Sequence, residues 1–297
     1  MGVKRSHAEM SGRPKKQDAP TASDQPQSPF MPIFETFRAE LDEHHARREE
    51  IIKASRDITA ASKKIIFTLQ RTRKLKEPLP QHVTKTNKDH HDIIAERLKN
   101  VAKHLQGINS FRYARQISGG CQEWMEAASF QHYLETARLL SYEESRALLE
   151  QVSRDEEGRS VVLSPEDYVL GIYDMTGELM RFAITAMATQ GLPTIPLEAD
   201  DPNADAAGAI EVDSSVPVAG QRNVLTDMRL LRSALEGIDA GSGPFAKDAE
   251  KKMEVMRTSV EKVEKSLYGL IVRGAERPKG WMPDMDAGGG RAIEVEG

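Results

Sequence analysis

The sequence predicts an all-α fold: a single bundle of about seven helices with a long first helix. Three observations carry that expectation. Apolar residues recur at three- and four-residue spacing in seven separate stretches. No stretch shows the strict alternation of a half-buried strand. Helix-start signals stand at the right places, with Ser141 three before Glu144, and Ser164 followed by Pro165, Glu166 and Asp167. The bulk numbers agree. The 297 residues are 39% hydrophobic and 29% charged, which suits a soluble globular chain with some disordered length. No run nears the roughly 18 apolar residues of a membrane span, so no membrane partner is expected. The N-terminal residues lack the apolar stretch of a secretory signal. One cysteine, Cys121, excludes a disulfide framework and a cysteine-rich zinc site, and fits a reducing compartment. A net charge of −5 leaves nucleic-acid binding to a local patch.

Residues 1–29 are basic and aperiodic, and read as a disordered tail. Lys4-Arg5 with Arg13-Pro14-Lys15-Lys16 is either a split nuclear-import signal or a merely solvated tail. From Met31 to Lys74 the apolar series Phe34, Phe37, Leu41, Ile51, Ile58, Ile65 and Leu69 predicts one helix. Ser55 and Ser62 interrupt it as polar positions. At 1.5 Å per residue it would run about 60 Å, longer than a compact monomer's core, so a partner subunit is expected. Its later part carries Lys53, Arg56, Lys63, Lys64, Arg71, Arg73, Lys74 and Lys76. Such a run is usually a solvated face; the functional reading is a phosphate-contacting stripe.

Pro78 and Pro80 break the pattern. A second helix is predicted from Asp89 to Leu105, with Ile93, Ile94, Leu98, Val101 and Leu105 on its apolar face. The cluster Asp89-His90-His91-Asp92 would sit at that helix's start, where acids favour the dipole, so capping is preferred to metal binding. Ser118, Gly119 and Gly120 open a third helix that runs to Glu135. Ser141 starts a fourth, and residues 153–161 are a polar loop. The helix after Ser164 ends near Gly191 and Pro193. Gly171 and Gly177 inside it each cost about 1 kcal/mol against Ala, which suggests a neighbour or a substrate close to the backbone. Residues 196–220 read as an acidic flexible insertion. Helices follow from Arg222 to Ile238 and from Ala246 to Ile271, separated by a turn at Gly241–Pro244. Ala249, Met253, Met256, Val260, Val263, Leu267 and Leu270 form a packing seam on the last one. Residues 283–297 read as a flexible tail.

The chemistry lies in two acid pairs. Glu123 and Glu126 stand three apart on one helix; Asp174 and Glu178 stand four apart on another. Each pair projects from one face. Like charges at these spacings cost about 0.2–0.5 kcal/mol per pair even when exposed, and an unpaired buried carboxylate costs far more. One such pair is usually a solvated face. Two pairs on two apolar helices are harder to dismiss: either both are solvated faces or a shared divalent cation removes the cost. Carboxylate oxygens suit Mg2+ or Mn2+ rather than Zn2+ or Cu+. A ferritin-like di-iron site would need Glu-x-x-His, which neither helix has.

Four stretches resemble the translin family, in its larger, X-type branch. They are residues 55–67 (SRDITAASKKIIF), 122–132 (QEWMEAASFQH), 174–181 (DMTGELMR) and 272–279 (VRGAERPK). The resemblance covers residues 30–282 apart from the insertion. It implies an all-helical domain over that span and a hollow, octamer-like hetero-oligomer with translin. It also implies binding of single-stranded RNA, with single-stranded DNA a further candidate. The activity it implies is that of a Mg2+-dependent endoribonuclease, with Mn2+ as a substitute ion. Candidate substrates are small-RNA passenger strands or transfer-RNA precursor fragments, in cytoplasm and nucleus. The positions matching the family's catalytic and metal-ligating acids are Glu123, Glu126, Asp174 and Glu178. Glu126 and Glu178 are assigned as nearest ligands, with Asp174 and Glu123 completing the shell or acting as base. Lys63, Lys64, Arg71 and Arg181 are candidate nucleic-acid contacts, although a salt bridge from Arg181 to Glu178 is the preferred reading. His132 reads as a packed or capping histidine. The competing function is a non-catalytic helical scaffold that stabilises translin and helps bind RNA or DNA.

Overall fold

Eight helices build the described residues, and their order follows the apolar periodicity. The computed structural model describes residues 28–191, 194–195 and 222–273. The helices are α1 (Met31–Leu69), α2 (Gln81–Ala102), α3 (Ile108–Arg112), α4 (Ala114–Thr136), α5 (Tyr142–Ser153), α6 (Pro165–Gln190), α7 (Val224–Glu236) and α8 (Pro244–Arg273). The basic tail apart from its last two residues, the whole acidic insertion, and everything after Arg273 lie outside the described residues. None of the described helices is long and apolar enough to cross a membrane.

The chain divides into two units, one ending at His45 and one starting at Ala46. In the first, Phe30 just before α1 and Phe34, Phe37 and Leu41 at its start are each more than half exposed. In the second, Ile51, Ile58, Ile65 and Leu69 of α1 are wholly buried. The core there is centred on α6, which packs along α4 and α8 and also meets α5 and α7. The predicted seam of α8 is real: Ala249, Met256, Val260 and Val263 are buried, and Met253, Leu267 and Leu270 are partly so.

The caps expected at Ser141 and Ser164 are present. The Ser141 hydroxyl accepts from Glu144 N–H at 3.2 Å, while the Glu144 carboxylate accepts from Ser141 N–H at 2.9 Å. Ser164 accepts from Asp167 N–H at 3.1 Å, with Pro165 in the first turn.

Five expectations need correction. First, α1 stops at Leu69, not Lys74. Second, α2 starts at Gln81, eight residues before Asp89, because Pro80 initiates it and Val83 and Asn87 are buried. Asp89 therefore lies two turns inside α2 and cannot cap it. Third, the eighth helix, α3, is one short turn with no buried residue, hence no periodic signal. Fourth, Ser118, Gly119 and Gly120 lie inside α4 rather than opening it. A Cβ on Gly120 would sit 3.1 Å from the Ser55 backbone, and its N–H donates to Ser55 Oγ at 3.0 Å. The glycine is thus a crossing point for α1, and the polar interruption at Ser55 is its partner. Fifth, residues 222–223 are not helical. They form strand β2, antiparallel to β1 (Thr194–Ile195), with Thr194 opposite Asn223 and Ile195 opposite Arg222. Two residues a side are too few to show alternation in the sequence.

Candidate functional site

The site begins with a glycine. A Cβ on Gly171 of α6 would lie 2.7 Å from Met125 Cβ and 3.0 Å from the Gln122 carbonyl oxygen of α4. Only glycine lets the two backbones approach this closely. Glu123 and Glu126 flank that contact on α4; Asp174 and Glu178 lie one and two turns further along α6. All four acids line one cavity of about 590 Å3. Gly177 also lines it, with nothing within 4 Å of where its Cβ would be. Of the two glycines in α6, one therefore admits a neighbour and the other borders open space.

Three of the acids have partners. Glu123 pairs with Lys63 Nζ at 3.2 Å. Asp174 pairs with Lys252 Nζ. Glu178 accepts from Gln70 Nε2 at 2.5 Å and from Arg181 Nη1 at 2.9 Å. Glu126 makes no hydrogen bond or ion pair among the described residues. Its carboxyl is pushed up to about 8, first by burial and then by Asp174, Glu123 and Glu178, with Lys252 opposing. As placed, no three His, Cys, Asp or Glu side chains among the described residues are grouped to ligate one ion. The reason is local: three of the four acids are turned toward Lys63, Lys252, Gln70 and Arg181. The donor chemistry nonetheless fits a hard divalent cation, because a half-buried carboxylate without a partner faces three more carboxylates.

The raised carboxyl makes a prediction. Folded Glu126 keeps a proton that the unfolded chain has already released above its ordinary value of 4.5. Its contribution therefore lowers the stability of the cation-free protein as pH rises from about 4.5 to 8. In EDTA, the denaturant midpoint of wild type should fall relative to Glu126→Gln across that range. A gap between the two that stays constant with pH would refute it.

The nucleic-acid candidates separate. Lys63 and Arg181 line the cavity but face acids, so the salt-bridge reading of Arg181 holds. Lys64 is exposed and does not line the cavity. The Arg71 guanidinium lies 5.1 Å from the Phe67 ring centroid. His132 is half-buried, outside the cavity lining, and burial lowers its pKa, as a packed histidine requires. In the Asp89–Asp92 cluster, His91 meets Gln131 at 3.2 Å and Asp92 pairs with Lys88. Lys252, Gln70 and Tyr173 also line the cavity, and sequence reasoning missed them. Lys252 sits beside Met253 in the α8 seam and reads there as a flanking charge.

An all-helical bundle whose two central helices bring four carboxylates to one base-rimmed cavity is a narrow class. The chain belongs to the translin family, whose pattern its residues 46–274 match. It is 31% identical over 276 residues to mouse Translin-associated protein X, covering 87% of this chain and 84% of the relative. It is 29% identical over 245 residues to the Schizosaccharomyces pombe Translin-associated protein X homolog, covering 82% and 89%. The crystal structure of apo-NeC3PO shares the fold at a TM-score of 0.50 and 15% identity, over 81% of this chain and 99% of that one.

Proposed function

We propose that this chain is the carboxylate-bearing subunit of a Mg2+-dependent endoribonuclease. It acts on single-stranded RNA within a hetero-oligomer with translin, in cytoplasm and nucleus. The observation that carries the reading is Glu126, a carboxylate without a partner, pushed up to about 8 among three other acids in a cavity. A purely structural cluster would leave no acid uncompensated, because the desolvation cost has no return. The name of the mouse relative, which calls it translin-associated, supports the partner.

Glu126 and Glu178 would hold the ion, with Asp174 and Glu123 completing its shell directly or through water. Bound there, Mg2+ or Mn2+ would supply acidity to a water and positive charge beside a phosphate. The chain's own groups do the rest. Lys63, Arg181 and Lys252 ring the acids with positive charge and attract a phosphate into the cavity. Gln70 and Arg181 fix the Glu178 carboxylate in place. Lys252 holds the Asp174 carboxylate in place, where it would accept a proton from an attacking water. Small-RNA passenger strands and transfer-RNA precursor fragments are the substrates to try first.

A second reading has its own support. Three of the four acids are already ion-paired or hydrogen-bonded, as a scaffold's structural network would be. The test is direct. The full chain is reconstituted with translin and given end-labelled single-stranded RNA in Mg2+ or in EDTA. Internal cleavage is expected in Mg2+ and none in EDTA. Binding without cleavage in either buffer establishes the scaffold.

A further inference from the structure

We propose that Phe67 is a nucleobase-stacking subsite on the rim of the acidic cavity, a claim that rests on the function proposed above. Phe67 lines the cavity yet is 59% exposed. Its helix neighbours Ile65, Ile66 and Leu69 are buried, so the register of α1 turns this ring outward at the cavity rim. Arg71, one turn later, lays its guanidinium over the ring. Lys63 and Lys64 stand one turn earlier, within reach of the same surface.

An exposed ring among cations is how single-stranded nucleic acid is held: bases stack on aromatics while basic side chains follow the backbone. An apolar protein partner fits less well, since covering Phe67 would also desolvate the charges of Lys64 and Arg71. The cavity supplies a further reason. Its acids offset the pull of Lys63, Arg181 and Lys252 on a phosphate, and Lys63 is already committed to Glu123. A strand therefore needs an anchor indifferent to charge beside them. A neutral base on Phe67 provides one, and places the adjoining phosphodiester over the acids.

The test uses the full chain reconstituted with translin, in EDTA so that RNA survives. The probes are a short fluorescein-labelled oligoadenylate and an abasic chain of the same length. Phe67→Ala should weaken oligoadenylate binding by about 5- to 150-fold, the range for losing one stacked base. It should leave binding of the abasic chain unchanged. Phe67→Trp should retain affinity, and Phe67→Leu, apolar but not aromatic, should lose it. Size-exclusion profiles of all variants should match wild type. Equal oligoadenylate affinity in Phe67→Ala and wild type overturns the subsite, even if Mg2+-dependent cleavage stands. Disrupted assembly overturns it in favour of a subunit contact. Base-dependent binding through Phe67 in a complex that never cleaves in Mg2+ keeps the subsite and defeats the nuclease.

Discussion

Glu126→Gln in the translin complex is expected to lower Mg2+-dependent RNA cleavage by about a hundredfold or more, with RNA binding retained. The substitution keeps shape and removes one negative charge. Losing one preorganised electrostatic contact at a reacting centre costs about 10²–10³ in kcat. Glu126 should sit at the upper end, since it alone of the four acids has no protein partner to release before meeting a cation. Single-turnover cleavage at saturating complex separates the chemical step from binding. Cleavage within tenfold of wild type would sink the assignment. The same variant should not destabilise the fold: the neutral amide avoids the repulsion that Asp174, Glu123 and Glu178 impose. Inactivity through unfolding is thus separable from inactivity through chemistry.

Asp227→Ala should be the most destabilising single change away from the cavity, by about 3–5 kcal/mol. Asp227 and Arg222 are both about 5% exposed and pair at 2.5 Å. Tyr133 O–H donates to Asp227 at 2.7 Å, and Arg222 Nη2 donates to the Ala137 carbonyl at 2.9 Å. This knot ties the end of α4, strand β2 and the first turn of α7 just where the chain re-enters after the insertion. Burial, then the Asp227 charge, holds the Tyr133 phenol well above its ordinary range, so it remains a donor. Removing Asp227 strands a buried guanidinium without its carboxylate. Replacing Arg222 and Asp227 together by apolar residues of similar size should cost less than the single change. Denaturant unfolding of the complex at fixed concentration measures both. A loss under 1 kcal/mol for Asp227→Ala would show that the pair is dispensable.

Seven of the eight helices, the Ser141 and Ser164 caps and the polarity of each long face were legible in the residues, while α3 and the starts of α2 and α4 were not. The 3.6-residue period exposes a helix's buried stripe wherever the helix spans several turns, as in α6 and α8, and a cap is a contact three residues long. The grouping of Glu123 with Glu126, and of Asp174 with Glu178, follows from the same local geometry. Their meeting in one cavity does not. It depends on α4 and α6 touching backbone to backbone at Gly171, and on α8 delivering Lys252 from far along the chain. Nor could spacing say which acid would be left over. That is settled by the partners the fold places around them: Lys63 from α1, Gln70 just past its end, Arg181 from α6 itself and Lys252 from α8. Periodicity orients a side chain about its own helix axis. Only the packing of helices distant in sequence decides what that side chain faces.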